Sequence, residues 1–273
     1  MALFNIAMIA GFGIGPVLGG IIHDSLSTDA TFISMGILSI LGFFIILLFL
    51  PRRISSPIAI PDSGVTESRG SSSSLASMIR DKTVQGIVTL QLVFGLLFGT
   101  VLAFIGIWMT TVIGTSIAQV GIMVSARAIL NGILAYPFGW LADRMNRVIL
   151  ASAGMLLVVI GTFAIPWIRS FAPLLGLFMV MGACESMAMP SVTAIAVEKG
   201  RSMGMGSVMG IFNMAMSLGL VIGSIAGGMI ESSLGIAAVF RFAAPLGLAG
   251  VIVFNILIPK SARFSKESRG SPA

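Results

Sequence analysis

Long apolar stretches alternate with short polar ones along almost the whole chain. Eight of the apolar stretches are about 18 to 27 residues long, and charged, proline or glycine positions separate them. An α-helix rises about 1.5 Å per residue, so about twenty apolar residues cross the ~30 Å hydrocarbon core of a bilayer. We therefore predict eight membrane-spanning helices, at roughly residues 3–22, 31–50, 84–108, 117–138, 148–165, 171–197, 204–230 and 236–258.

The composition narrows the class of protein. Of the 273 residues, 56% are hydrophobic and 10% are charged, whereas a soluble domain is about 25% charged. This favours an all-α polytopic protein whose main partner is the lipid bilayer. The net charge of +6 is spread over short loops, so we predict no nucleic-acid binding. Cys184 is the only cysteine, and the sequence shows no metal cluster, phosphate loop or nucleophile motif. We therefore predict no metal, no cofactor and no enzymatic activity.

Two polar segments interrupt the pattern of apolar stretches. Residues 51–83 contain three prolines, four consecutive serines and charges of both signs, which is typical of a flexible linker. Residues 259–273 form a polar tail after the last apolar stretch. The linker divides the predicted helices into a group of two, within residues 1–50, and a group of six, within residues 84–258.

The first apolar stretch recurs near the end of the chain. Residues 3–22 and 211–230 align without a gap, and ten of the twenty positions are identical. Both copies carry glycines four residues apart, which in the first copy are Gly11, Gly15 and Gly19. Glycines at this spacing share one helix face and let another helix approach closely. A repeat separated by several spans indicates a molecule built from two similar halves.

The basic residues predict the orientation of the chain. The linker, residues 139–147, residues 198–203 and the tail hold thirteen of the sixteen Lys and Arg residues, and the loops on the other side hold only Arg169. By the positive-inside rule, the basic loops and both termini face the cytoplasm. We predict a multi-pass protein of the cytoplasmic (plasma) membrane.

Few polar residues lie within the predicted spans. Arg127 and Asn131 share one face of the fourth span, Glu185 lies in the sixth and Gln91 in the third. A charge at mid-span costs roughly 2.5–3.5 kcal/mol, so it usually faces the bundle interior and has a partner. Residue counts place Arg127 and Glu185 at similar depths, and we predict that they face each other. These four residues are candidates for substrate or proton coupling; structural ion pairing and interhelical hydrogen bonding are the alternatives.

Two motifs carry a family resemblance. The first, Gly11-x-x-x-Gly15-Pro16-x-x-Gly19-Gly20, resembles the glycine-proline motif in the fifth span of major facilitator superfamily (MFS) transporters, especially proton-coupled drug antiporters. Small residues allow tight packing, and the proline removes one backbone N–H and bends the helix. Ordinary helix packing is the alternative interpretation.

The second motif is the segment GWLADRMNR, from Gly139 to Arg147. It is similar to the short cytoplasmic loop motif of the same superfamily, which helps to close the cytoplasmic face. The resemblance implies that Gly139 makes the turn, that Asp143 lies at the start of the next helix, and that Arg144 and Arg147 pair with nearby acidic groups or helix ends. A turn that only orients the chain is the alternative.

The order of these features extends the resemblance over the whole chain. The glycine span and its repeat lie six spans apart, as do spans five and eleven of the family, and the linker falls where the central loop should be. The resemblance implies an MFS-type helical bundle. Residues 1–50 would supply the last two helices of the N-terminal half, residues 51–83 the cytoplasmic linker, residues 84–258 the C-terminal half and residues 259–273 a cytoplasmic tail.

The resemblance implies secondary transport of a small molecule, most simply proton-coupled efflux by alternating access. Spans one to four of the family's twelve are not in this chain, and we expect them upstream of Met1 or on a separate polypeptide. Two alternatives stay open at this point. The chain could be a truncated remnant that does not transport, or a membrane sensor or receptor, although the internal repeat and the lack of a sizeable soluble domain weigh against a sensor.

Overall fold

The computed structural model describes residues 2–49, 78 and 80–258 of the chain. Every regular element in these residues is helical, as predicted. The eight α-helices are α1 (Ala2–Ser25), α2 (Thr28–Phe49), α3 (Lys82–Trp108), α4 (Ile117–Arg144), α5 (Arg147–Ala164), α6 (Phe171–Met203), α7 (Met205–Leu234) and α8 (Ile236–Leu257). The predicted tail and nearly all of the predicted linker lie outside the described residues.

Seven of these helices, α2 to α8, are long and apolar enough to cross a membrane. The second to eighth predicted spans correspond to them in order, although most of the helices are longer than the apolar stretches alone. Helix α3 continues as a π-helical turn from Met109 to Ile113, which ends at Gly114 with a φ of 78°. Helix α1 is 24 residues long and contains the first predicted span, and the count of seven refers only to the described residues.

Polar side chains define the starts of three helices. Asp81 accepts hydrogen bonds from the N–H groups of Thr83 and Val84 at the start of α3. Ser116 caps α4, and Gln119 completes a capping box with it. Asn146 accepts from Val148 N–H and Ile149 N–H at the start of α5. Each cap satisfies backbone donors that have no partner within their own helix.

Two local predictions are wrong. Residues 198–203, expected to form a charged loop, belong to α6, which continues to Met203. The segment expected to form a loop from Gly139 to Arg147 is mostly helical, because α4 continues through Gly139 to Arg144. Only Met145 and Asn146 separate α4 from α5. Asp143 therefore lies in the last turn of α4, and Asn146 occupies the capping position that we expected for Asp143.

Helices α3 to α8 form one bundle. Helix α3 packs against α7 and α8, α4 packs against α6, and α5 packs against α6 and α8. Two clusters of buried side chains fill this bundle, one around Leu90, Phe94 and Met155 and the other around Trp108, Phe178 and Phe240. Helix α1 packs mainly against α4, and α2 packs against α1 and buries none of its residues.

The two copies of the sequence repeat are packed differently. On α7, Gly219 and Gly223 lie directly against the backbone of α3 at Leu92 and Leu96. On α1, the equivalent residues Gly11 and Gly15 have open space where a Cβ atom would stand. The predicted close approach along the glycine face is thus seen for α7. Helix α1 makes its close contacts on another face.

Candidate functional site

The charged residues predicted within the spans form an ion pair. The Nη2 atom of Arg127 on α4 lies 3.2 Å from Oε2 of Glu185 on α6, and Nε donates to the same oxygen at 3.2 Å. The side chains are only 9% and 11% exposed. This confirms the prediction that the two residues face each other.

Two aromatic rings surround the guanidinium group. The Cζ atom of Arg127 lies 5.7 Å from the ring centroid of Phe98 on α3 and 5.5 Å from that of Phe178 on α6. At these distances the ring faces attract a cation. The side chain of Arg127 is therefore held by a carboxylate and two rings, contributed by α3 and α6.

A glycine brings the two helices of this site together. A Cβ atom on Gly182 of α6 would stand 2.6 Å from the carbonyl oxygen of Arg127. One helical turn beyond Arg127, the Nδ2 atom of Asn131 donates to the carbonyl oxygen of Gly182 at 3.2 Å. Asn131 thus joins α4 to α6 beside the ion pair, which accounts for its position on the same face as Arg127.

Among the described residues, no hydrogen bond joins Gln91 to the ion pair. Gln91 is 3% exposed on α3, and its Oε1 atom is buried without a hydrogen-bond partner among the residues that the structure describes, as is the Oγ atom of Ser125 on α4. A buried acceptor without a hydrogen bond costs about 1–3 kcal/mol. Both atoms are therefore places where a polar ligand group or a water molecule would be stabilised.

The second predicted motif takes part in a network of charged side chains. The Nη2 atom of Arg147 lies 3.1 Å from Oδ1 of Asp143, and its Nη1 atom lies 3.3 Å from Oε2 of Glu198 on α6. Arg144 is separate from this contact and stacks on the ring of Trp140, with Cζ 3.8 Å from the centroid. Arg147 therefore ties the junction of α4 and α5 to α6.

A second ion pair lies at the same end of the bundle. The Nζ atom of Lys199 on α6 lies 2.8 Å from Oδ2 of Asp81, which also caps α3. Partial burial raises the pKa of Asp81, but the hydrogen bonds from Lys199 and from the N–H groups of Val84 and Thr83 outweigh burial and leave its pKa below the usual value. We call this end, where α3 begins and α4 and α6 end, the basic end.

Sequence reasoning did not identify Glu198, Asp81 and Lys199 as site residues. Glu198 and Lys199 stood in a segment expected to be a charged loop, and Asp81 stood in the expected linker. The available signal was position, because all three lie where predicted spans end on one side of the membrane. Which acid meets which base depends on the packing of α3 against α6, which the sequence pattern does not give.

The glycine-proline motif lies where α1 meets α4. A Cβ atom on Gly20 would stand 2.7 Å from the Cα atom of Ala118, and one on Gly121 would stand 2.8 Å from the carbonyl carbon of Pro16. Gly19 is near the Thr31 side chain of α2. The residues of the motif that contact α4 are therefore Pro16 and Gly20.

Comparisons with known proteins agree with this architecture. The Major Facilitator Superfamily sequence model matches residues 87–273. An uncharacterized MFS-type transporter of Methanocaldococcus jannaschii is 23% identical over 260 residues, which are 95% of this chain and 66% of the relative. The synaptic vesicular amine transporter of Homo sapiens is 27% identical over 241 residues, or 86% of this chain and 44% of the relative. The multidrug resistance protein MdtG of Escherichia coli is 22% identical over 250 residues, or 90% and 59%.

Proposed function

The chain belongs to the Major Facilitator Superfamily, and on that premise we propose that it is the C-terminal part of a proton-coupled exporter of a small solute, with Arg127 and Glu185 as its coupling pair. It is a multi-pass membrane protein of a family of solute transporters. The buried ion pair between α4 and α6 is the observation that supports a coupling role most directly. A desolvated charge pair in a membrane bundle is costly, and such pairs mark ion and substrate pathways.

The coupling step follows from the chemistry of the pair. When a proton binds the Glu185 carboxylate, the acid becomes neutral and Arg127 loses its counter-charge. The guanidinium stays positively charged and can then donate hydrogen bonds to an anionic or dipolar group of the substrate. Alternatively, loss of the ion pair allows α4 to move relative to α6. Loss of the proton restores the ion pair. Phe98 and Phe178 keep the guanidinium in place during the exchange, since both rings attract it whatever the charge on Glu185.

The orientation proposed from the basic residues places the basic end at the cytoplasmic face. At that end Arg147 holds α4, α5 and α6 together, and Lys199 holds α6 to α3. Ion pairs that bridge helix ends on one face can close that face in one state of a transporter and break in the other. We propose that this network stabilises the arrangement of the helices seen here, with both termini in the cytoplasm.

The chain spans 44–66% of the length of the three relatives described above. We propose that transport requires further helices, which correspond to the rest of these relatives and are encoded upstream or supplied by a separate chain. The open faces of α1 at Gly11 and Gly15 and the exposed surface of α2 support this view. Sequencing the DNA upstream of Met1 tests it, and unrelated DNA preceding a start site at Met1 would argue against it.

The coupling role is tested by replacing Glu185 with Gln, which keeps the size of the side chain but cannot take up and release a proton. Membrane vesicles that contain this chain together with the further helices, and that hold a trapped pH dye, are offered ethidium and a monoamine, chosen because relatives are named for multidrug resistance and amine transport. We expect substrate-dependent proton movement with the unsubstituted protein and none with Glu185→Gln. The matched control is Glu231→Gln, which changes an acid at the end of α7 opposite the basic end. Equal proton movement in Glu185→Gln vesicles would contradict the proposal.

A further inference from the structure

The last turn of α1 reaches the first turn of α4. The Oδ2 atom of Asp24 accepts a hydrogen bond from the backbone N–H of Ala118 at 2.8 Å. This contact joins residues 94 positions apart, at the end of the bundle opposite the basic end. A hydrogen bond from a backbone N–H to a carboxylate at a helix N-terminus is strengthened by the charge and by the helix dipole.

Helix α4 does not need Asp24 in order to form. It already carries a complete capping box, in which Ser116 Oγ accepts from Gln119 N–H and Gln119 Oε1 accepts from Ser116 N–H. The carboxylate is a second acceptor at the same helix start, and it comes from a different helix. What Asp24 adds is a link between α1 and α4.

The surroundings hold the carboxylate in position. The Nδ1 atom of His23 lies 3.3 Å from Oδ1 of Asp24. The Nε2 atom of His23 lies 3.0 Å from Oγ1 of Thr28, the first residue of α2. One turn earlier on α1, Gly20 lies against the backbone of Ala118, which allows the short carboxylate to reach the N–H. The end of α1, the start of α2 and the start of α4 are thus joined through Asp24 and His23.

The contacts of Asp24 and His23 connect helices α1 and α2 to the bundle of helices α3 to α8. Among the described residues, α2 packs against α1, and α1 packs mainly against α4. Any motion that separates helices α1 and α2 from helices α3 to α8 at this end must break the bond between Asp24 and Ala118.

We propose that Asp24 is a latch, which keeps α1 and α2 on α4 at the end opposite the basic end and whose carboxylate leaves the Ala118 N–H whenever this end opens. The opening as a step of a transport cycle rests on the proposed function, but the latch itself is a property of this chain. Two states of a helix interface that differ by a few contacts are a common basis for switching.

The latch is also sensitive to protons. Hydrogen bonds from Ala118 N–H and from Ser116 lower the pKa of Asp24. The titratable neighbours are His23 on α1 and Asp29 in the first turn of α2, and the first ten residues of α4 carry no charge. Because the pKa is lowered in the closed state, the latch is at full strength above the ordinary aspartate pKa. It weakens as the pH falls through the lowered value.

The test measures the distance between α1 and α4 directly. Spin labels are placed at Leu26→Cys and Ile122→Cys, both exposed positions, in a Cys184→Ala background, and the protein is reconstituted in lipid nanodiscs. Pulsed electron resonance gives the distribution of distances between the labels. We expect a single population of short distances in the protein that retains Asp24. In the Asp24→Ala variant we expect an additional population of longer distances.

Two control variants make the result decisive. Asp29→Ala removes another exposed acid at the same end and should leave the distribution unchanged. Gly20→Leu forces α1 away from Ala118 by steric collision and should lengthen the distance, which shows that the labels report opening. If Gly20→Leu shifts the distribution and Asp24→Ala does not, the latch is overturned.

A further variant tests the latch if Asp24→Ala folds poorly. Asp24→Leu keeps the approximate size of the side chain but offers no acceptor to Ala118 N–H, and we expect the longer population to appear. A distribution identical to that of the parent protein would again overturn the latch. The measurement needs no substrate, so a failed latch and a failed transport proposal are distinguishable.

Discussion

Arg127 on α4 directs both Nε and Nη2 to one oxygen of Glu185 on α6, at 3.2 Å each. The two helices also meet one turn away, where Asn131 donates to the Gly182 carbonyl oxygen. The ion pair is therefore part of a close interface between the helices. Removing one charge leaves the other buried without compensation, whereas removing both leaves an apolar contact of similar size.

The first prediction compares single and double removal of this pair. Arg127→Leu and Glu185→Leu should each destabilise the protein by about 3–5 kcal/mol, because each leaves an uncompensated buried charge. The double variant should recover most of this loss. Thermal unfolding and the yield of monodisperse protein in detergent measure the effect, and Arg241→Leu, which removes a cation stacked near Trp167, is the control.

Transport by the double variant separates the two roles of the pair. If the pair couples protons to movement, the double variant folds but does not transport. If it recovers both folding and transport, the pair is structural only. Additive effects of the single changes would show that the two residues do not interact, which would contradict the contact itself.

Much of the bundle follows from the sequence because its apolar stretches have the length of a membrane. The meeting of Arg127 and Glu185 could be predicted because helices rise by a fixed distance per residue, so counting from the span ends gave both depths. The contact between Phe98 and Arg127 could not be predicted, because it depends on which face α3 presents to α4 and α6. Residue counts give depth but not rotation.

Other misses have local physical causes. Gly139 was expected to make a turn, but a glycine within a helix costs only about 1 kcal/mol, and α4 continues through it. Asn146, which precedes Arg147 and the apolar residues of α5, carried the usual signal of a helix cap. Asp24 lies between the first two predicted spans, and nothing in the sequence pattern shows that it meets Ala118.

The second prediction concerns the close packing of α7 on α3. A Cβ atom on Gly223 would stand 2.9 Å from the carbonyl carbon of Leu96 and 3.0 Å from its Cα atom. Backbone atoms cannot move aside as a flexible side chain can, so Gly223→Ala should destabilise the protein by about 1–3 kcal/mol. Thermal unfolding in detergent measures the loss.

Two matched glycines serve as controls for this effect. Gly210 lies on the same helix, and Gly15 is the equivalent of Gly223 in the first copy of the repeat; both have open space where a Cβ atom would stand. Alanine at either position should be neutral or stabilise the chain slightly, since alanine favours helix more than glycine by about 1 kcal/mol. A loss at Gly210 as large as that at Gly223 would refute the packing argument.

The third prediction concerns the network at the basic end. The carboxyl side chains of Asp143 and Glu198 are 71% and 67% exposed, and exposed ion pairs contribute about 0–1 kcal/mol. Asp143→Asn should therefore leave insertion and stability nearly unchanged. If the network stabilises one transport state, the same variant should strongly reduce transport, because Arg147 loses one of its two acidic partners.

The control for this prediction is Arg144→Gln. Arg144 belongs to the same motif but stacks on Trp140, so its replacement should reduce transport less than Asp143→Asn or Glu198→Gln. Initial rates of substrate-dependent proton movement in vesicles provide the comparison. If Asp143→Asn and Glu198→Gln both transport at the normal rate, the charged residues of this network serve only to orient the chain in the membrane.

The last prediction uses the double role of Asp81, which caps α3 and pairs with Lys199. Asp81→Asn keeps a side-chain oxygen for the cap, since asparagine caps helices as well as aspartate does, but it loses the charge. The variant should therefore be less stable than the parent at neutral pH by the contribution of the ion pair alone. Lys199→Met should cause a similar loss, and the two losses should not add.

The pH dependence of this loss has a definite sign. The pKa of Asp81 is lowered in the folded protein, so its charge stabilises the fold fully above the unfolded value near 3.8. This stabilisation disappears as the pH falls through the lowered folded value. Thermal unfolding between neutral and acidic pH should therefore show a difference in stability between the parent and Asp81→Asn. This difference should be constant at neutral pH and disappear below the ordinary aspartate pKa. If the difference persists in acid, Asn fails as a cap and the ion pair with Lys199 contributes nothing measurable.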